Sequence, residues 1–142
     1  MIVLDANLLI YAVNDNAPEN RKAKLWLESA LSGQETIGFS WIVLLAFLRI
    51  TTRPGIFPNA FPVDSALDLV DAWLDQSAAT IVHPGPHHAT LLRQLIGPMG
   101  AGGNLTSDAH LAALAIEHGA ELCSSDSDFA RFPGLKWRNP LL

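Results

Sequence analysis

Cysteine is almost missing from this chain and basic residues are scarce. Cys123 is the only cysteine in 142 residues, which excludes an internal disulfide and any cysteine-rich zinc site. Its place in the apolar stretch Leu122 to Ser124 reads as a small buried side chain, not a reactive thiol. Long apolar runs are missing too. None is long enough to span a bilayer, and the N-terminal run is cut short by Asp5 and lacks the basic start of a secretory signal, so a cytoplasmic protein is expected. Nine Lys and Arg against fourteen Asp and Glu give a net charge of -5. That balance argues against a broadly basic nucleic-acid-binding face. It does not exclude chemistry on nucleic acid at a centre where several acids gather round a divalent cation, because the ion offsets their charge locally.

What remains is apolar: 49% of residues are hydrophobic and only 16% charged. A chain of this length and composition predicts one compact domain over residues 1–142 with a sizeable core. Met1 to Leu4 reads as a short buried strand, and Ala6 to Val13 as an apolar helix stopped by Asn14, Asp15, Asn16 and Pro18. Glu19 to Leu31 has the spacing of a half-buried amphipathic helix. Thr36 to Phe39 is a second strand, and Ser40 is placed to cap a helix over Trp41 to Thr51 that has almost no polar face. Arg53 to Pro62, with three prolines and a glycine, is a loop. Val63 to Leu74 is helical, Ala79 to Val82 a strand, and His87 to Ile96 a helix whose start is expected to be exposed. Gly97 to Gly103 is a glycine-rich connection, Thr106 to His118 a helix stopped at Gly119, and Leu122 to Ser124 and Lys136 to Trp137 the last strands. Strands alternating with helices predict a parallel sheet covered on both faces.

Three aspartates stand where these elements meet. Asp5 follows the first strand, Asp108 opens the apolar run from Ala109 to Ile116, and Asp126 follows Leu122-Cys123-Ser124-Ser125, with Asp128 two residues on. In an open parallel sheet, strand ends and helix starts share one edge, so acids far apart in sequence can converge there. Oxygen donors of this kind suit a hard cation such as Mg²⁺. Each acid also has an ordinary explanation. Asp5 can be a helix cap, Asp108 a partner for a helix dipole, and Asp126 and Asp128 turn residues that bond their own backbone.

The blocks Val3-Leu4-Asp5-Ala6-Asn7-Leu8-Leu9-Ile10-Tyr11, Asp108-Ala109-His110-Leu111-Ala112-Ala113-Leu114-Ala115 and Ser124-Ser125-Asp126-Ser127-Asp128-Phe129 resemble, in order, the three signature blocks of PIN domains. The closest likeness is to the VapC toxins of bacterial toxin–antitoxin pairs, and Phe132-Pro133-Gly134-Leu135 adds to it. The resemblance implies a three-layer α/β/α sandwich with a mainly parallel central sheet. It also implies an endoribonuclease dependent on Mg²⁺ or Mn²⁺, a homodimer acting on RNA and restrained by a cognate VapB-like antitoxin. Carried over by position, Asp5, Asp108 and Asp126 are the metal ligands, and Asp128 joins them in catalysis.

One position departs from that pattern. PIN domains generally carry a glutamate on the helix after the second strand, and here Ala46 stands at that place. One anionic ligand fewer predicts weaker metal binding, and it opens a rival reading, a catalytically weakened module that acts mainly by binding its antitoxin or RNA. A phosphate-monoester hydrolase or a receiver domain also places an aspartate after a strand, but both usually need a lysine beside the acids, and none of the three blocks supplies one. Gly100 to Gly103 lacks the Gly-Lys-Ser/Thr ending of a phosphate loop. Arg49, one helical turn from Ala46, suits either an RNA phosphate or a structural ion pair. His110, two positions from Asp108, is expected to point away from it, and Trp26, Trp41, Trp73 and Trp137 read as core or interface aromatics.

Overall fold

A computed structural model describes every residue except Ala101 and Asn104. Five strands, β1 (Ile2–Leu4), β2 (Ile37–Phe39), β3 (Ala79–Ile81), β4 (Glu121–Cys123) and β5 (Trp137–Arg138), form one sheet in the order β3-β2-β1-β4-β5. All four neighbouring pairs are parallel. Six α-helices connect them: α1 (Ala6–Val13), α2 (Asn20–Ser32), α3 (Trp41–Thr51), α4 (Val63–Leu74), α5 (His88–Ile96) and α6 (Leu105–Glu117). Two short 3₁₀ turns, Gly97–Met99 and Ser127–Arg131, complete the described elements. The expected α/β/α sandwich is therefore present, and most element bounds fall within a residue of those read from the sequence. Ala101, in the connection expected over Gly97 to Gly103, lies outside the described residues.

Burial shows why the sheet is a middle layer. Successive side chains of a strand point to opposite faces, and every residue of β1 and β2 is buried, as are Leu122 and Cys123 of β4. Both faces are thus covered, which is the usual state of a parallel sheet. The edge strands β3 and β5 are only partly buried. Gly38 fits the crowded centre of β2 because a Cβ there would stand 3.0 Å from Val82 Cγ1 and 3.3 Å from Val3 Cγ2. The loop read at Arg53 to Pro62 has no regular element, and Gly55 and Asn59 there take left-handed backbone.

Helix ends follow their local chemistry. Gly119, at φ +63°, closes α6, and the Ala120 amide donates to the Ala115 carbonyl at 2.8 Å, the long bond of a Schellman ending. Glu117 accepts from the amides of Gly85 and His87 at 2.8 and 2.9 Å, tying the last turn of α6 to the entry of α5. One expectation needs correcting there. His87 is exposed, but His88 is half-buried, and its Nε2 lies 2.8 Å from His110 Nδ1 on α6. The periodicity of α5 carried no sign of this pair, which depends on how two helices pack. Ser40 occupies the cap position of α3 as expected but makes no side-chain cap bond, and its buried Oγ has no partner. No helix among the described residues is long and apolar enough to cross a membrane.

Candidate active site

The chain runs from β1 to β2 and β3 on one side, then returns to place β4 on the other side of β1. The strand order therefore reverses between β1 and β4, and ligands of open α/β sheets bind at the carboxyl edge of such a switch point. Asp5 leaves β1 there, and Ser124 to Asp128 leave β4 beside it. The register continues one step past the strands, because the Asp5 amide donates to the Cys123 carbonyl at 3.0 Å and the Ser124 amide to the Arg138 carbonyl at 3.1 Å.

Asp5 is held from three sides. One carboxylate oxygen accepts from the Ala6 amide at 2.7 Å, so the capping role is real. The other accepts from the Ser124 hydroxyl at 2.7 Å and from Asn7 Nδ2 at 3.2 Å. Ser124 is fully buried and joins the two halves of the site. Its Oγ also accepts from Asn7 Nδ2 and from the Asp126 amide, both at 3.0 Å, while its carbonyl takes the Trp137 indole N–H at 3.0 Å. The Ser125 amide donates to Asn7 Oδ1 at 3.3 Å. Asp126 caps the turn Ser127–Arg131 by accepting from the Asp128 amide at 2.9 Å. Asp128 is exposed and pairs with Arg131 at 3.1 Å. Ser124 and Asn7 were not singled out from sequence, although each stands within two residues of a chosen aspartate.

Asp108 stands in the first turn of α6. Burial, then repulsion from Asp5, Asp126 and Asp128, pushes its carboxyl from the ordinary 3.8 up to about 6, with only Arg131 opposing. Burial also raises Asp5, against hydrogen bonds from Ser124 and Ala6 and with a further push from Asp126. Asp108 thus feels the other three acids, and Asp5 feels Asp126, across three separate chain segments. Among the described residues, however, no three His, Cys, Asp or Glu side chains approach closely enough to grip a metal ion by themselves. The donor set is all oxygen, which fits Mg²⁺ or Mn²⁺ and not zinc. Cys123 takes no part, since burial pushes its thiol up to about 12.

The raised Asp108 has a consequence for stability. Unfolded, the group titrates near 3.8; folded, it holds its proton up to about 6. Its neutral form therefore favours the fold at low pH, and that contribution is lost as pH rises through about 6. Asp108→Asn, which cannot ionise, should melt at a higher temperature than the native chain at neutral pH. The difference should disappear below pH 3.8, and thermal unfolding at the two pH values reads both.

Comparison with known proteins gives one consistent result. Residues 2–135 match the family model described as the PIN domain. The chain is 45% identical over 140 residues to Ribonuclease VapC37 of Mycobacterium tuberculosis, covering 99% of this chain and 97% of that protein. It is 40% identical over 141 residues to Ribonuclease VapC33 of the same species, covering 99% of each. Among solved structures, VapBC-1 from nontypeable Haemophilus influenzae shares the fold with a TM-score of 0.70 at 14% identity, over 99% of this chain and 98% of that one. VapBC2 from Rickettsia felis, bound to a DNA fragment from its promoter, does so with a TM-score of 0.67 at 21% identity and 98% coverage of both chains.

Proposed function

The chain belongs to the PIN-domain family, among the VapC ribonucleases, and from that premise we propose that it is the toxin of a bacterial toxin–antitoxin pair, an endoribonuclease dependent on a divalent metal. What supports the reading is that the Ser124 hydroxyl ties Asp5 to the Asp126 backbone at the β1/β4 switch point, and that Asp108, raised to about 6 chiefly by burial, is pushed further by Asp5, Asp126 and Asp128. Asp5, Asp108 and Asp126 are assigned as the metal-holding acids, with Mg²⁺ favoured by their hardness and Asp128 assisting. When bound, such an ion supplies an activated water and offsets the charge that builds on the phosphate. Mg²⁺ usually keeps several waters and needs only one or two carboxylates, so the spread of the acids suits it. Ser124 and Asn7 fix the Asp5 carboxylate before substrate arrives, which lowers the reorganisation needed during reaction. Arg131, held by Asp128, places a guanidinium at the rim, where it can meet an RNA phosphate.

Partners follow from the same premise. A cognate VapB-like antitoxin is the proposed inhibitor, as the similar structures include antitoxin complexes. The cavity of about 330 Å³ between α1, α2 and α4, walled by Leu27, Leu31, Leu69 and Trp73, would accept an apolar face of its helix. A homodimer would cover Trp41 and Leu45, 48% and 58% exposed and one turn apart on α3. The weakened-module reading rests on Ala46, half-buried on α3 where a glutamate was expected. Metal titration separates the two readings. Cleavage of an RNA panel should stop with chelator and return with Mg²⁺, and Ala46→Glu should bind Mg²⁺ more tightly. No metal-dependent cleavage of any RNA would favour the binder.

A further inference from the structure

The acid site sits in a polar row that runs across the sheet edge. Val3 is opposite Gly38, Leu4 opposite Cys123, and Cys123 opposite Arg138. One step further along each strand, the register aligns Ser40, Asp5, Ser124 and Asn139. At about 4.8 Å between strands, Asn139 stands about 10 Å from Asp5, with Ser124 between them. There the row opens into a cavity of about 320 Å³, whose lining includes Tyr11, Glu19, Lys22, Ser125, Asn139 and Leu141.

A second path leads from the acids to the same cavity. Asn7, which touches Asp5, Ser124 and the Ser125 amide, is four residues before Tyr11 on α1. The two therefore share one helix face, about 6 Å apart along the axis. Ser125 belongs both to the acid site, through its bond to Asn7 Oδ1, and to the cavity wall. The cavity therefore adjoins the site at Ser125.

Its lining is chemically mixed. Tyr11, the only tyrosine of the chain, offers an aromatic ring. Lys22 is exposed and forms no ion pair among the described residues. Asn139 spends its Oδ1 on the Leu141 amide at 3.0 Å, which leaves its Nδ2 to donate. Glu19 supplies an acceptor of the kind that takes an exocyclic amine. A ring, a cation, a donor and an acceptor together match a nucleotide better than an apolar peptide.

We propose that this cavity is a nucleotide subsite for single-stranded RNA, next to the cleavage centre and setting base preference beside the cut. The proposal rests on the nuclease reading above. The base stacks on Tyr11 and is read by Asn139 and Glu19, while Lys22 meets a backbone phosphate.

The test uses short single-stranded RNA oligonucleotides of randomised sequence with the full-length chain. Cut positions are mapped with the native protein and with Tyr11→Leu and Lys22→Ala. Affinities are then measured by fluorescence anisotropy in an Asp108→Asn background, so that the RNA is not consumed. Tyr11→Leu should weaken binding roughly 5- to 150-fold, the range of one base–aromatic stack, and flatten the base preference at one position beside the cut. Lys22→Ala, on an exposed residue that leaves folding untouched, should weaken all sequences alike and reduce the salt slope of binding by about 1. If the native protein cuts RNA but both variants bind and select bases as it does, the subsite is overturned and the nuclease reading stands. If the variants lose affinity as expected while no RNA is cut by the native protein, the cavity stands as an RNA-binding site only, and the nuclease reading falls together with any role in choosing the cut. Loss of antitoxin binding with RNA affinity unchanged would give the cavity to the protein partner and overturn the proposal.

Discussion

Asp5→Ala should lower kcat for RNA cleavage by at least about a thousandfold, the scale on which single members of a catalytic constellation fail. Asp5 stands at the centre of the sheet edge, and both its oxygens are already aimed, by the Ala6 amide and by Ser124 and Asn7. Its removal takes away a carboxylate proposed to hold metal together with the acceptor that ties β1 to β4. It also removes the cap of α1, at a cost of about 0.5–2 kcal/mol. Asp5→Asn therefore belongs beside it, because it keeps an acceptor oxygen for the Ala6 amide while it loses the charge and turns the oxygen that accepts from Ser124 and Asn7 into an N–H donor. Both variants should be inactive, with the asparagine form nearer to native in stability. Single-turnover cleavage and thermal unfolding of the two variants check this. Native-like cleavage by Asp5→Asn would contradict the assignment of the carboxylate.

Phe47→Ala should have the opposite signature, a large loss of stability with the chemistry intact. Phe47 is fully buried on α3, and its ring meets Trp73 of α4 edge-on, with centroids 4.9 Å apart and planes at 69°. Truncating a buried phenylalanine costs about 3–5 kcal/mol, part of it the cavity left behind, and an aromatic pair of this geometry adds about 0.5–1.5 kcal/mol to what is lost. Against a typical total of about 5–15 kcal/mol, that is a substantial fraction. Urea unfolding should show a lower midpoint at an unchanged slope. At temperatures where the variant remains folded, kcat should stay near native, since Phe47 packs in the core and is not one of the assigned acids or their hydrogen-bond partners. An unchanged midpoint would mean that α3 and α4 do not depend on this contact.

The sequence made much of this architecture legible, for identifiable reasons. Short apolar strands alternating with helical runs announce a parallel sheet, and aspartates at their junctions announce an edge site. The order β3-β2-β1-β4-β5 was not legible. Strands of three fully buried residues, such as Ile2-Val3-Leu4 and Ile37-Gly38-Phe39, carry no pattern that selects a neighbour. The acids could be proposed because each adjoins a recognisable apolar block. Their support was not, since Ser124 acquires its role only when β4 lies against β1 and brings its hydroxyl to Asp5, 119 positions away. The same applies to His88 with His110 and to the Tyr11–Lys22–Asn139 cavity, which depend on tertiary proximity. The capping and turn explanations for Asp5 and Asp126 are both correct in the structure.

On the proposed function, Asp5, Asp108 and Asp126 would hold a divalent metal, which would supply an activated water for RNA cleavage. The ends of the RNA test this most directly. Cleavage with Mg²⁺ should leave a 3′-hydroxyl and a 5′-phosphate on the two fragments, because water is the nucleophile. Fragments ending in a 2′,3′-cyclic phosphate would show attack by the neighbouring ribose hydroxyl and would contradict the account.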